Sequence, residues 1–435
     1  MRIEKKNITK TLILIMFNVL LTTVAQMSGS LVFIAIAMLT YMFTMLISDD
    51  ETVFPLILFF LPWSPILKLS PSSISFYSVT TILLFLKYFI RRPKFNVKIV
   101  FSVLGLFVIT LFSKMIHGYG IAPSYFMFLV MLVAFPFMFE IIREKVNFEL
   151  CVQFFSVGII LATLVSLLYG SSPNMIQYVK VLQQENLGVT RLCGFYADPN
   201  FYSAQIVTAF GGLLLVITKR RKKILLEVVF AILLVICGLI SLSKSFLLCM
   251  LIVLALWLLA LLRYRPSKMV GAGFVIALVA VALVASGALD DIILQYMIRF
   301  GEATDASSLT TGRTDLWIEY INFMVDHPMD FFFGQGYTSV FNGVRKGSHN
   351  TLIQAFYQLG LLGLVGLTSW LGAFKTKTKL KQKSNGLLSI VWLVACFSMW
   401  VGLDMMFFDD LFVNITLLVF GSHYISKIFD SDASV

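Results

Sequence analysis

Residues 246–288 read FLLCMLIVLALWLLALLRYRPSKMVGAGFVIALVAVALVASGA. Two apolar runs, 246–262 and 269–288, are parted only by a short segment carrying Arg263, Arg265 and Lys268. A helix of about 20 apolar residues crosses the roughly 30 Å of bilayer hydrocarbon. Lipid offers backbone amides no partner, so such runs are read as spanning helices. Similar runs fill a chain of 435 residues that is 59% hydrophobic and 13% charged, far from a soluble average. The fold class is therefore an all-α polytopic integral membrane protein. Spans are expected near 11–27, 30–48, 52–68, 74–90, 99–114, 122–142, 149–169, 198–218, 224–242, 246–262, 269–288, 351–373, 386–407 and 411–428. That makes about 14 transmembrane helices in one membrane domain, 1–435. The third is the weakest, being short and carrying Pro55, Pro62 and Pro65. The run at 11–26 follows basic residues, but no small-residue cleavage site and polar mature region come after it, so it is read as a first span.

Charge distribution sets the expected orientation. Short cytoplasmic loops collect Lys and Arg. With the N-terminus inside, 25 of the 34 Lys and Arg fall in inner segments, among them the basic run 375–383. That run is read as a topology signal in contact with anionic headgroups, and the net charge of +11 therefore argues for no nucleic-acid partner. Two long loops, 170–197 and 289–350, are then expected to face the outer, extracytoplasmic side. Neither the loops nor the spans repeat internally, which weighs against transporters built from duplicated halves. The five cysteines show no paired spacing, so no disulfide framework or metal site is expected, and no cofactor is called for.

The stretch 290–350 is unusual: about sixty residues of polar, loop-like sequence beside otherwise apolar runs. It carries Thr311-Gly312-Arg313, Trp317, His327-Pro328 and Gly334-Gln335-Gly336, and ends in Gly347-Ser348-His349-Asn350. Loops this long are uncommon unless functional or disordered. Its aromatics and glycines read as order. Residues 315–326 place Trp317, Tyr320, Ile321 and Met324 on one side of a helix suited to the headgroup level.

Nine cations remain on the outer side against the topology bias, among them Arg191, Lys244, Arg299, Arg313 and the Arg345-Lys346 pair. An anionic substrate on that face would explain them, and the planar fork of Arg suits phosphate. Lys244, in the tight turn Ser241-Leu242-Ser243-Lys244-Ser245, reads equally well as a side chain snorkelling to the interface. His349 stands at the mouth of a span. A histidine there can take a proton near neutral pH, or merely cap the helix. From Asn350, Gln354 and Gln358 follow at steps of four, a polar stripe expected to face an interior cavity. Gly360, Gly363 and Gly366 follow at steps of three and would permit close helix packing. Asp409-Asp410 is read as a solvated hairpin and Asp404 as a polar contact between helices.

Taken together these motifs resemble those of the O-antigen ligase and polysaccharide polymerase superfamily. His349-Asn350 followed after nine residues by Gly360-x-x-Gly363 is similar to its signature, as is Arg191-x-x-Gly194 followed by Asp198-Pro199-Asn200. Ser243-Lys244-Ser245 resembles the family's Ser-Arg-Gly-like turn, with Lys where Arg is commoner. Gly312-Arg313, Trp317, His327-Pro328 and Gly334-x-Gly336 resemble the rest of its external loop. The likeness covers roughly 190–366. It implies a metal-independent, inverting glycosyltransferase of the membrane-embedded C type, with a glycan on undecaprenyl diphosphate as donor and a lipid-linked sugar as acceptor. Within that likeness, Arg191 and Arg313 are expected on the diphosphate with Lys244 assisting. Asn200, Asn350 and Gln354 would bind substrate, and His349 would act as base toward the acceptor hydroxyl or orient it. A repeat-unit polymerase is the leading expectation. A ligase onto lipid A-core or another acceptor shares the site, and a flippase for lipid-linked sugar is the third possibility. A flippase and a chain-length regulator would be the natural partner proteins.

Overall fold

The computed structural model describes residues 5–91, 96–118, 123–142, 144–178, 181–184, 189–196, 198–220, 223–287, 289–301, 312–338, 340–374, 386–406 and 409–426. The basic run 375–383, Lys180, Thr311 and the side chain of Arg345 lie outside the described residues.

Each expected span is met by helix. These are α1 (Lys5–Ser28), α2 (Leu31–Ile47), α3 (Val53–Phe60), α4 (Phe76–Arg91), α5 (Val97–His117), α6 (Pro123–Ile142) and α7 (Phe148–Tyr169). After a hairpin of β1 (Val181–Gln184) and β2 (Val189–Leu192) come α8 (Pro199–Lys219), α9 (Leu225–Ile240), α10 (Lys244–Tyr264) and α11 (Pro266–Ala285). The long loop holds α12 (Asp290–Gly301), α13 (Arg313–Asp326), α14 (Pro328–Phe333) and a hairpin of β3 (Val340–Phe341) and β4 (Val344–Arg345). The chain ends in α15 (Thr351–Phe374), α16 (Gly386–Phe397) and α17 (Asp409–Ser426). Among the described residues, 7 helices are long and apolar enough to cross a membrane.

The third expected span, 52–68, does not run through as one helix. It turns into a short 3-10 segment at Leu61–Trp63, where Pro62 removes a backbone donor. The short helix is held by close approach instead. A Cβ on Gly158 would stand 2.3 Å from the Phe59 carbonyl oxygen, so α3 lies against bare α7 backbone. The Trp63 indole N–H donates to the Gly158 carbonyl at 3.1 Å. At the centre is α8, buried along nearly its whole length.

The helix ends sort into two faces, as alternating crossings require. On one, Asp50 accepts from Lys145 at 2.6 Å, and Arg220 bridges Glu149 and Glu227, each at 2.6 Å. Lys268 donates to the last carbonyls of α8 at Ile217 and Thr218, both at 2.9 Å. On the other lies the long loop, hereafter the loop face. There the expected loop of 290–350 is largely helical. Of the four residues read onto one side of α13, Tyr320 and Met324 are buried inside the protein. Leu316, Tyr320 and Met324 form the buried stripe against Phe341 and Tyr357, while Ile321 is exposed and Trp317 half-buried. Tyr320 stacks on Phe341 with ring centroids 4.0 Å apart. The i, i+4, i+8 spacing follows one face of a straight helix more closely than the set read from sequence.

One glycine fixes how the loop docks. Gly360 interrupts α15 with φ 64° and ψ −174°, a region essentially closed to other residues. The break frees carbonyls that a continuous helix would use. Gln335 N–H donates to the Tyr357 carbonyl at 2.8 Å and Gly336 N–H to the Gln358 carbonyl at 3.0 Å. A Cβ on Gly360 would meet the Phe332 carbonyl oxygen at 2.4 Å, and one on Gly334 would meet Gln358 backbone at 2.5 Å. Of the other two glycines in the series, Gly366 faces Leu106 of α5, and a Cβ on Gly363 would meet only Leu359 of its own helix. Gly360→Ala should therefore cost about 1–3 kcal/mol or more, read as a lower thermal midpoint and faster proteolysis within 312–348.

Candidate functional site

The loop face carries a cavity of about 720 Å³. Its polar wall is Arg191, Asp198, Asn200, Lys244, Arg299 and Arg313. Leucines of α10 and Val401 make up much of the rest. Four cations against one carboxylate give the polar end a strong positive field, and a low-dielectric wall makes that field long-ranged.

Each cation is placed by a specific local device. Arg191 closes the β1–β2 hairpin opposite Leu182, and its Nε donates to the Ser241 carbonyl at 3.2 Å. That carbonyl belongs to the turn between α9 and α10, where Leu242 takes φ 50°. Ser243 ends the turn and caps α10, its oxygen accepting from Phe246 N–H at 3.2 Å. The same hydroxyl donates to Asn200 Oδ1 at 2.6 Å, so the starts of α8 and α10 are tied together. Asp198 caps α8 by accepting from Asn200 N–H at 2.7 Å. Lys244 lines the cavity, and its ammonium stands 5.1 Å from the centre of the Phe300 ring. Arg313 opens α13 and its Nη1 donates to the Gly402 carbonyl at 2.7 Å. A Cβ on Gly402 would sit 3.0 Å from that nitrogen, a contact tight enough to push the guanidinium off its carbonyl by a few tenths of an ångström.

His349 is not among the residues that line the cavity, but it lies within electrostatic reach of Arg313 and Asp198, on backbone strained at φ 53°. For a residue other than glycine this conformation needs support from its surroundings, and the neighbours supply it. The Trp317 indole donates to the Ser348 carbonyl at 2.9 Å and Tyr320 to the Lys346 carbonyl at 2.6 Å. Ser348 N–H donates to Gln354 Oε1 at 2.9 Å. Asn350 caps α15 by accepting from Leu352 and Ile353 N–H at 3.0 and 3.2 Å, and its Nδ2 donates to the Val401 carbonyl at 3.2 Å. The residue as a whole keeps part of its surface open to solvent, while its imidazole is partly desolvated.

Two expectations change here. Gln354 and Asn350, expected to bind substrate, are both buried and brace the backbone on either side of His349, Gln354 through its Oε1 alone and with no partner for its Nε2 among the described residues. Gln358 likewise donates to the Thr338 carbonyl at 2.8 Å. The polar stripe of α15 secures the loop and contributes nothing to the lining of the cationic cavity, because the kink at Gly360 brings the loop onto it. Asp409 and Asp410 are not a solvated hairpin either. Asp409 accepts from Ser78 at 2.8 Å, and Asp410, 2% exposed, accepts from Gln205 at 2.7 Å. Asp404 makes a local turn, accepting from Met406 N–H at 3.2 Å.

Arg299 is the residue that motif reading missed. It was counted among the outer cations, but no motif singled it out. Helix α12 buries it to 6% exposure within electrostatic reach of Arg191. Burial, then the like charge of Arg299, pushes Arg191 down to about 10, with Asp198 opposing. Burial also lowers Arg313, again against Asp198. His349 is lowered from its usual 6.5 by burial first and by Arg313 second, with Asp198 pulling the other way. Guanidiniums crowded out of water in this way are relieved by an incoming anion. An imidazole held below its usual value is neutral at pH 7 and free to accept a proton.

Helices, family of spans and site together define a multi-pass all-α membrane protein with a cationic cavity on its loop face. Residues 228–368 match the family model described as O-antigen ligase, so the likeness drawn from the motifs holds over that segment, consistent with an O-antigen ligase and polymerase superfamily. No curated protein matches the chain. The matched segment supplies Lys244, Arg299, Arg313 and His349, whereas Arg191, Asp198 and Asn200 come from outside it.

Proposed function

We propose that the protein is a polysaccharide repeat-unit polymerase, taking a growing glycan from undecaprenyl diphosphate and placing it on the next lipid-linked repeat. The observation that carries this is the convergence of Arg191, Arg299, Arg313 and Lys244 on one cavity whose other wall is apolar. A polyprenyl diphosphate has the same two halves. Exposed Leu248 and Leu251 on α10 extend the apolar wall toward lipid, giving the prenyl chain a lateral path.

In the proposed reaction His349 accepts the proton of the acceptor hydroxyl. The oxygen attacks the anomeric carbon from the side opposite the diphosphate, and the sugar–phosphate bond breaks with inversion. The growing negative charge on the leaving diphosphate is met by fixed guanidiniums, which cost no reorganisation at that moment. The fold is then a glycosyltransferase of the C type with fourteen crossings. The loop face is extracytoplasmic, and the chain sits in the bacterial inner membrane beside a flippase and a chain-length regulator. The O-antigen ligase match favours transfer chemistry of this general kind, and a ligase is the second reading because it would use the same cavity.

Donor alone decides between the two. Purified protein given only a lipid-diphosphate repeat unit should build a ladder of products. A single transfer that occurs only when a second acceptor is added would mark a ligase.

A further inference from the structure

Behind the cavity wall, α17 packs on α8 through polar groups that the transfer reaction does not use. Asp410 and Asn414 lie one turn apart on α17 and are 2% and 1% exposed. Across from Asp410, Gln205 of α8, fully buried, donates its Nε2 to Asp410 Oδ1 at 2.7 Å and also to the Tyr196 hydroxyl. Three polar atoms here have no hydrogen-bond partner among the described residues: Gln205 Oε1, Asn414 Oδ1 and Asn414 Nδ2. Nor does any described Lys, Arg or His nitrogen come within 4.0 Å of Asp409 or Asp410. Lys68 acts on Asp409 electrostatically, from beyond ion-pair distance.

We infer that Asp410, Gln205 and Asn414 form an intramembrane site for a monovalent hard cation of sodium size. Buried carboxylates in a bundle need a counter-charge, and buried amides need partners. A proton on Asp410 would supply one donor and leave at least one amide oxygen unsatisfied. A cation gathers several oxygens at once. Lys68 acts on Asp409, so Asp410 is the carboxylate left without a cation beside it among the described residues. No cluster of three His, Cys, Asp or Glu occurs among the described residues, so the donor set suits neither a transition metal nor a carboxylate-rich divalent site. The cation would lock α17 to α8, whose first turn carries Asp198 and Asn200 at the cavity.

The test reads stability, so it stands apart from the transfer reaction. Thermal unfolding of the purified full chain is followed as sodium replaces N-methylglucamine at fixed ionic strength, with a parallel potassium series. Sodium should raise the midpoint saturably, and more effectively than potassium. Asn414→Leu, similar in volume but without the amide, should raise the half-saturating sodium concentration at least about tenfold. Asp410→Asn should abolish the response. Should either variant fail to fold, the wild-type titration still decides. Equal midpoints in all three cations would overturn the site. So would a midpoint that follows pH but no cation, which would mean a protonated carboxylate with water satisfying the amides.

Discussion

His349→Ala is expected to reduce polymer formation by at least about 100-fold, the usual contribution of a positioned general base, while the protein inserts and is retained in the membrane at wild-type level. The expectation rests on geometry as much as on residue type. His349 is held at a strained φ by Ser348, Asn350 and Gln354, partly open to solvent and within electrostatic reach of Arg313. The pH profile gives a finer check. Since burial and Arg313 lower this imidazole below 6.5, the neutral, active form prevails above that value, and activity should fall only as pH drops below it. Asp198→Asn keeps a side chain able to cap α8 but removes the charge that raises His349. The acid limb should then move to lower pH. A profile unchanged in Asp198→Asn, or normal chain length in His349→Ala, would remove His349 from the chemistry.

Arg191→Lys is the second large effect, an expected loss of about 100-fold in turnover. The substitution keeps the charge but loses the planar fork and the Nε bond that aims it from the Ser241 carbonyl. Because the group is only 6% exposed and crowded by Arg299, a lysine cannot regain its contacts from solvent. Binding of undecaprenyl diphosphate, measured separately from turnover, should weaken in the same variant. Unchanged turnover would argue against a clamp on the diphosphate at this position.

These two residues also show what a sequence discloses. Apolar run length placed a helix at each expected span, seven of them long and apolar enough to cross a membrane among the described residues, and Pro62 flagged the one that breaks. The outer cations were legible because topology bias makes each of them an exception. Arg299 needed the structure: its significance depends on α12 folding against the α9–α10 turn, which no local pattern announces. The same holds for Asp409-Asp410, whose partners Ser78 and Gln205 lie hundreds of positions away in sequence. For Gln354, helical spacing correctly placed it on one line with Asn350 and Gln358, but the kink at Gly360 decides what covers that line. Periodicity specifies a face; the partner that covers it is a tertiary fact.

The most direct test of the central claim uses purified protein in lipid nanodiscs with one lipid-diphosphate repeat unit and a chelator present. Release of undecaprenyl diphosphate is followed together with glycan length. The account predicts one diphosphate carrier released for each repeat added, in wild type and not in His349→Ala. Carrier that stays joined to its glycan under these conditions, while binding to the cavity is intact, would contradict it.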